Sequence, residues 1–440
     1  MSQTTPSSAT GSAATRPDPI SGVRWPVVIL LMALCFISHL NRISMSIAGD
    51  KRIMKQFAIE PDKMGMVYSA FLLVYTAFMI PGGFFIDRFG PRIALLVVGF
   101  GSAVFCALTG GVGFALSAGS QVWLSLVIVR GTMGLATTPL HPACARAVGT
   151  WTPLAQRSLV NGLVTGAALL GIACTYKVFG TLIEWFDWPA AFLATAVTTA
   201  LLAALWAFVS RPRASTSEES AVAPRNFIAE LFACLELLRS RSLILLTISY
   251  GAIGYFQYLF FYWMHYYFDE VLHLGKSASE FYAGIPPLAM AVGMPLGGWL
   301  TDRLQRTMGL RRGRAAAPLG AMIGGAVCVS LGIFAKQPAW IVAWFSLALG
   351  AVGAAEGAFW STAVELGGPR GGMAASIMNT GGNGVGLLAP YLTPLISKQL
   401  DWQWGIGLGG LICLAGGMCW LGIDPTERRQ EREAPTSLPA

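Results

Sequence analysis

Charge is what this chain has least of. Only 12% of its 440 residues are Asp, Glu, Lys or Arg, about half the share of an ordinary soluble domain. The charges gather in short clusters and leave long apolar stretches between them. A helix needs roughly 20 apolar residues to cross a bilayer, and twelve such stretches can be drawn: 25–48, 63–86, 92–117, 121–145, 156–182, 188–210, 241–267, 278–301, 315–335, 338–363, 372–397 and 402–423. What remains is too short for a soluble domain.

Other absences narrow the reading. The eight cysteines all sit in apolar segments and none has C-x-x-C spacing, which argues against a metal site or a disulfide framework. No Ser-His-Asp spacing, no phosphate-binding glycine loop ending in Lys-Ser/Thr and no H-E-x-x-H is present. Direct use of ATP and enzymatic chemistry are therefore not expected, nor is a cofactor. A net charge of +8 could suggest nucleic acid, but the basic residues lie between apolar runs, mostly on one side. Residues 1–24 are rich in Ser, Thr, Ala and Pro without an apolar core, so they read as a disordered tail and not a signal peptide.

What is present is a repeat. Gly82-Gly83-Phe84-Phe85-Ile86-Asp87-Arg88 ends one apolar run, and Gly297-Gly298-Trp299-Leu300-Thr301-Asp302-Arg303 ends another in the second half. The expected fold is an all-α membrane protein of twelve transmembrane helices in two parallel six-helix bundles, 25–210 and 241–423, an arrangement found among transporters. A polar linker at 211–240, with an amphipathic helix near 227–238, joins them, and 424–440 forms a tail. If the spans alternate, the arginine clusters of loops 2–3, 4–5 and 8–9, the linker and the tail fall on one side. The positive-inside rule makes that side cytoplasmic. Both termini are then cytoplasmic in a multi-pass protein of the plasma (inner) membrane. Tryptophans near span ends, Trp123, Trp185, Trp188, Trp340, Trp402 and Trp404, read as interfacial anchors.

Several polar residues sit where an apolar helix resists them. Arg42 lies inside span 1 and Arg130 near the middle of span 4; arginine at such depth costs roughly 2.5–3.5 kcal/mol unless paired or facing water. Together they imply a positive cavity that attracts an anion, with Arg42 offering a guanidinium fork to a carboxylate. His39 shares a helix face with Arg42. A cation beside a histidine disfavours its protonated form, and an arriving anion reverses this, so His39, His141 and Glu356 are candidates for proton coupling. Gln257 or Tyr258 is expected on the inward face of span 7. Asn379 and Asn383, four residues apart, turn their amides the same way and suit hydroxyls or carboxylates. The repeated aspartates, Asp87 and Asp302, with Arg88 and Arg303, read as a gate. Each aspartate would accept from a helix N-terminus or pair with an arginine, Arg146 being the expected partner of Asp87.

Gly83-Phe84-Phe85-Ile86-Asp87-Arg88-Phe89-Gly90-Pro91-Arg92 resembles the loop 2–3 signature of the major facilitator superfamily. Asn41-Arg42-Ile43-Ser44-Met45-Ser46-Ile47-Ala48, then Arg130-x-x-x-Gly134 with Pro139, Pro142 and Arg146, and Trp360 followed by Asn379-x-x-x-Asn383-x-x-Gly386, resemble its anion:cation symporter branch. The resemblance implies two bundles rocking about a central site and import of a small organic anion, such as a sugar acid, with protons. It also implies Arg42, Arg130, Tyr75, Trp360, Asn379 and Asn383 as substrate ligands, with His39 where some sugar-acid transporters carry a substrate-contacting Tyr. Two departures bear on coupling. Asn41 stands where the family usually has Asp, and Thr137 where it usually has Glu, and neither titrates usefully. A uniporter, coupling moved to another group, and an exporter of another metabolite or drug remain alternatives. The expected partners are the anion, protons and the lipid bilayer, with no nucleic acid, and the expected state is a monomer.

Overall fold

The computed structural model describes residues 23–210, 232 and 234–427. Most of both tails and of the linker, including most of the helix expected near 227–238, lies outside the described residues. Among the described residues there is no strand.

Among the described residues, fourteen helices have eleven residues or more. In the first half these are α1 (Trp25–Ala48), α2 (Pro61–Ala77), α3 (Met79–Ala115), α4 (Gly119–Thr137), α5 (Leu140–Trp151) and α6 (Arg157–Val209). In the second they are α7 (Arg241–Tyr266), α8 (Lys276–Met308), α9 (Leu310–Phe334), α10 (Pro338–Gly353), α11 (Glu356–Gly367), α12 (Gly371–Gly386), α13 (Ala389–Gln399) and α14 (Trp402–Met418). Fourteen helices make twelve crossings because some are broken and others bend. α3 turns back at Gly90 (φ 79°) and α6 at Asp187 (φ 61°), so each holds the end of one crossing and the start of the next, or two crossings outright.

Crossings drawn as single spans are interrupted midway, and proline explains most of the breaks. It lacks the N–H of the helical ladder and its ring crowds the carbonyl four residues back. Crossing 4 breaks between α4 and α5 at Thr138–Pro139, crossing 11 between α12 and α13 just before Pro390, and crossing 2 at Phe78 before Pro81. Crossing 10 breaks at Ala354–Ala355 without proline, in a stretch containing Gly350 and Gly353. Crossings 4 and 10 hold the same position in the two halves, so the break is part of the repeat.

Gly90 and Gly309 also correspond. Each follows the Asp-Arg string of its half and begins the next helix with φ near +80° (79° and 82°), a region that side chains with a Cβ rarely enter.

Burial inverts the pattern of a soluble protein. Leu73, Val197, Leu201, Phe208 and Val292 are at least 60% exposed on the outer face, where lipid chains can cover them. Asn41, Arg130 and Glu356 are 2% exposed or less. Among the described residues, nine helical segments are long and apolar enough to cross a membrane. One of them, Pro338–Gln399, covers two crossings around the turn Gly368–Arg370, while the broken crossing 4 and the α2 part of crossing 2 fall outside the nine. Trp188 corrects one expectation. It is fully buried against Phe57 and Phe192 and donates to Gln56 Oε1 at 2.8 Å, so it is a packing residue and not a lipid-facing anchor. Trp185, Trp340 and Trp404 are exposed.

Glycine sets the spacing of α7 and α12. A Cβ at Gly254 would lie 2.0 Å from the Gly382 carbonyl oxygen, which no rotamer change can relieve. The variant Gly254→Val should cost on the order of 1–3 kcal/mol and lower the melting temperature of the purified protein. Gly284→Ala, whose Cβ would meet nothing within 4 Å, should not lower it.

Candidate functional site

The chemistry-bearing residues collect in two places: the centre of the bundle, and the end where the arginines cluster.

At the centre, α1, α2, α4 and α5 face α7, α11 and α12. Arg42 is part-buried on α1, its guanidinium carbon 5.2 Å from the Phe71 ring centre and 5.6 Å from that of Tyr75. Its charge also acts on the Tyr258 phenol of the other half. Among the described residues no carboxylate stands within ion-pair distance of it. Arg130 is arranged differently. It is 2% exposed, and its Nη1 and Nη2 donate to the carbonyl oxygens of Asn41 (3.2 Å) and Arg42 (2.8 Å). It grips the α1 backbone at the residue that carries the accessible guanidinium. Asn41 donates to Thr199 Oγ1 at 2.9 Å, and Thr137 donates back to the Met133 carbonyl, also at 2.9 Å.

The histidines meet. His39 Nε2 and His141 Nε2 are 3.3 Å apart. His141 stacks on Trp360 across the two halves, with ring centres 5.6 Å apart and 22° between planes. Glu356 sits behind that indole and accepts from Trp360 Nε1 (3.1 Å), Tyr250 Oη (3.0 Å) and Gln257 Nε2 (2.6 Å). Three donors on one carboxyl group occupy acceptor sites that burial would otherwise leave unpaired. Both alternatives for span 7 turn inward: Gln257 reaches Glu356, and Tyr258 donates to Asn383 Oδ1 at 2.9 Å. Asn383 donates in turn to Asn379 Oδ1 at 3.1 Å, and Tyr75 faces Asn379 from the first half. Tyr250 was not singled out from the sequence, although it lies seven residues before Gln257 and therefore on the same helix face.

At the arginine-rich end the two halves are latched symmetrically. Asp87 accepts from the N–H groups of Gly372 (2.7 Å) and Met373 (2.8 Å), the first turn of α12. Asp302 accepts from those of Ser158 (3.2 Å) and Leu159 (2.8 Å), the first turn of α6. Each carboxylate thus caps a helix of the opposite half, where free N–H groups and the helix dipole favour negative charge. The preceding glycines permit the approach. A Cβ at Gly83 would lie 2.8 Å from Met373 Cα, and one at Gly298 would lie 2.2 Å from the Ser158 carbonyl oxygen.

Arg146, expected beside Asp87, and Arg88 and Arg303, expected at a gate, make the following contacts. Arg146 donates to the carbonyl oxygens of Gly368 (2.6 Å) and Pro369 (3.2 Å), at the C-terminal end of α11. Arg88 and Arg303 are exposed over Phe89 and Trp299 of their own helices and do not span the halves in these contacts. The sequence reading missed a buried ion group beside Asp302. Arg314, fully buried, pairs with Glu365 at 2.6 Å and donates to Gln305 at 2.8 Å, and Arg157 approaches Glu365 from the first half at 3.7 Å. A glutamate and an arginine near the ends of different spans carry no spacing signal, so only the packing brings them together.

Residues 30–386 match the family description of the Major Facilitator Superfamily. A probable galactarate/D-glucarate transporter of Bacillus subtilis is 26% identical, over 95% of this chain and 97% of its own. A probable sulfoacetate transporter of Cupriavidus necator is 25% identical, over 91% and 94%. The crystal structure of the Escherichia coli fucose:proton symporter shares the fold with a TM-score of 0.69 at 15% identity, over 91% of this chain and 99% of its own.

Removing one latch should loosen the arginine-rich end. With Ser376, buried beside Gly83, replaced by Cys in a cysteine-free background, adding Asp87→Ala should raise the rate of maleimide labelling several-fold. An unchanged rate would show that Asp87 does not hold this end closed.

Proposed function

Because the chain belongs to the Major Facilitator Superfamily, we propose that it is a secondary transporter that moves a small organic anion, a sugar acid or related carboxylate, by alternating access. Arg42 carries this reading. It is a guanidinium within crossing 1, six residues before the end of α1, open to residues of both halves, with no carboxylate in ion-pair range among the described residues. An unpaired charge at that depth is costly, and an anionic cargo would complete it. The curated relatives support the class of cargo, since their names specify galactarate, D-glucarate and sulfoacetate.

In this mechanism the carboxylate docks on the Arg42 fork through charge-assisted hydrogen bonds. Arg130 keeps the fork in place by holding the two peptide carbonyls that flank the Arg42 Cα, and its two donating nitrogens are already used there. Tyr75, Tyr258, Trp360, Asn379 and Asn383 form the rest of the wall and suit the hydroxyls of a sugar acid. Gln257 acts one step back by holding Glu356. Cargo touching both halves favours their rocking together, while Asp87, Asp302 and Arg146 seal the arginine-rich end until the latches release. The positive-inside rule makes that end cytoplasmic, so the latched form closes the cell side and admits cargo from outside. The setting is the inner membrane, with both termini in the cytoplasm. The working unit is one chain, because the site is built wholly from its own two halves. No chemical transformation is part of the cycle.

The test is counterflow of labelled D-glucuronate, D-glucarate, sulfoacetate and benzoate in vesicles containing the purified protein. At least one sugar acid should exchange. Arg42→Ala should reduce exchange by about 10- to 100-fold, the loss of hydrogen bonds to a charged group worth roughly 1.5–3 kcal/mol, with Arg42→Lys between it and the parent. Exchange unaffected by Arg42→Ala would reject the binding assignment.

A further inference from the structure

Building on the carrier reading, we propose that His39 and His141 form one proton site, in which the two rings together take up a single proton and carry it with the anionic cargo. The pair would take the place of the titrating side chains that Asn41 and Thr137 cannot supply.

The hydrogen bonds determine which nitrogen holds a proton. His39 Nδ1 lies 3.0 Å from the Cys35 carbonyl oxygen. A carbonyl only accepts, so Nδ1 carries the proton, and in the neutral ring Nε2 is bare. That bare nitrogen faces His141 Nε2 at 3.3 Å, so His141 is the donor there and its own Nδ1 is bare. An incoming proton has one place to bind without breaking this pattern, His141 Nδ1. The resulting imidazolium still donates through Nε2 to His39. A second proton would set N–H against N–H and two positive rings with centres 5.0 Å apart. The pair therefore accepts one proton and refuses two.

The surroundings tie that proton to cargo. Trp360 stacks on His141 and can stabilise an imidazolium through its π face. It belongs to the opposite half, so the protonated ring draws the halves together. Arg42 lies three residues beyond His39, and its charge acts on both rings. With Arg42 bare, a protonated pair would face a second cation. With a carboxylate on Arg42, the pair faces a neutral unit. Proton and anion thus bind together, one for one, and a monocarboxylate crosses without net charge.

The other titratable and charged groups around the pair are arranged as follows. Cys35 on α1 and Cys144 on α5 are free cysteines, their sulfurs 3.6 Å apart. Arg130 of α4 is bound to α1 carbonyls. Tyr75 of α2 and Tyr258 of α7 face Arg42. On α6, Lys177 and Glu184 are exposed. Glu356 of α11 is held by three donors on the far side of Trp360.

Two measurements test the proposal. In 15N-histidine NMR of the purified full chain between about pH 4 and 9, two of the four histidines should be bonded to each other and take up one proton between them. His141→Gln should abolish that signal. Two independent titrations, each by a full proton, would overturn the shared site whatever the cargo. In vesicles, one proton per monocarboxylate predicts roughly tenfold accumulation of D-glucuronate per unit of pH gradient. His141→Gln should reduce accumulation to the no-gradient level while exchange stays measurable, with His141→Asn as the second variant should the first fail to fold. Gradient-driven accumulation equal to the parent's would overturn the coupling role. Failure of the unaltered protein to exchange any acid of the panel would reject the carrier reading, leaving the shared site to the NMR result.

Discussion

In hydrocarbon a charge must find a partner or do without solvent, and that constraint orders this molecule. Glu356 meets it with three donors, Arg314 with Glu365 and Gln305, and Arg130 with two backbone carbonyls. Asp87 and Asp302 meet it with the free N–H groups of helix ends. Arg42 stands apart, its charge facing aromatic rings. The cation left incomplete is the one that faces both halves.

The same constraint bears on the proposed release of the two aspartate contacts. A carboxylate capping a helix start is held by two N–H groups and a dipole, yet the bonds run between bundles. Separation exposes both partners to water at the membrane surface, where each is resolvated. The latch therefore stabilises one arrangement without making the other prohibitive. Glycines at both contacts let the helices come within bonding range, and two matching latches divide the work between the bundles.

Much of the fold was legible in the sequence, because a bilayer demands long apolar runs and a duplicated string marks two halves. The inward residues were legible for the same reason: a polar side chain in such a run must point away from lipid. Partners were less so. Arg146 could be placed at the inner end of crossing 4, but its acceptors are carbonyls of Gly368 and Pro369, and any residue type carries a carbonyl. Arg130 raised the same difficulty. A buried arginine suggests cargo, whereas here its nitrogens meet backbone oxygen that no motif records. Trp188 looked like an anchor by position and proved a core residue because crossing 6 begins with a turn that folds it inward.

By itself, then, the sequence determined the twelve apolar crossings, the twofold repeat, the glycine-aspartate strings and the absence of acids at Asn41 and Thr137, since each depends on residue type along one chain. Only the tertiary structure decided that His39 meets His141, that Glu356 is satisfied by three donors, and that each aspartate caps a helix of the other half. Apart from Trp360, four residues from Glu356, these pairings join residues roughly 100 to 290 positions apart, and a hydrogen bond depends on distance and direction in space, which helix packing sets and sequence spacing does not record.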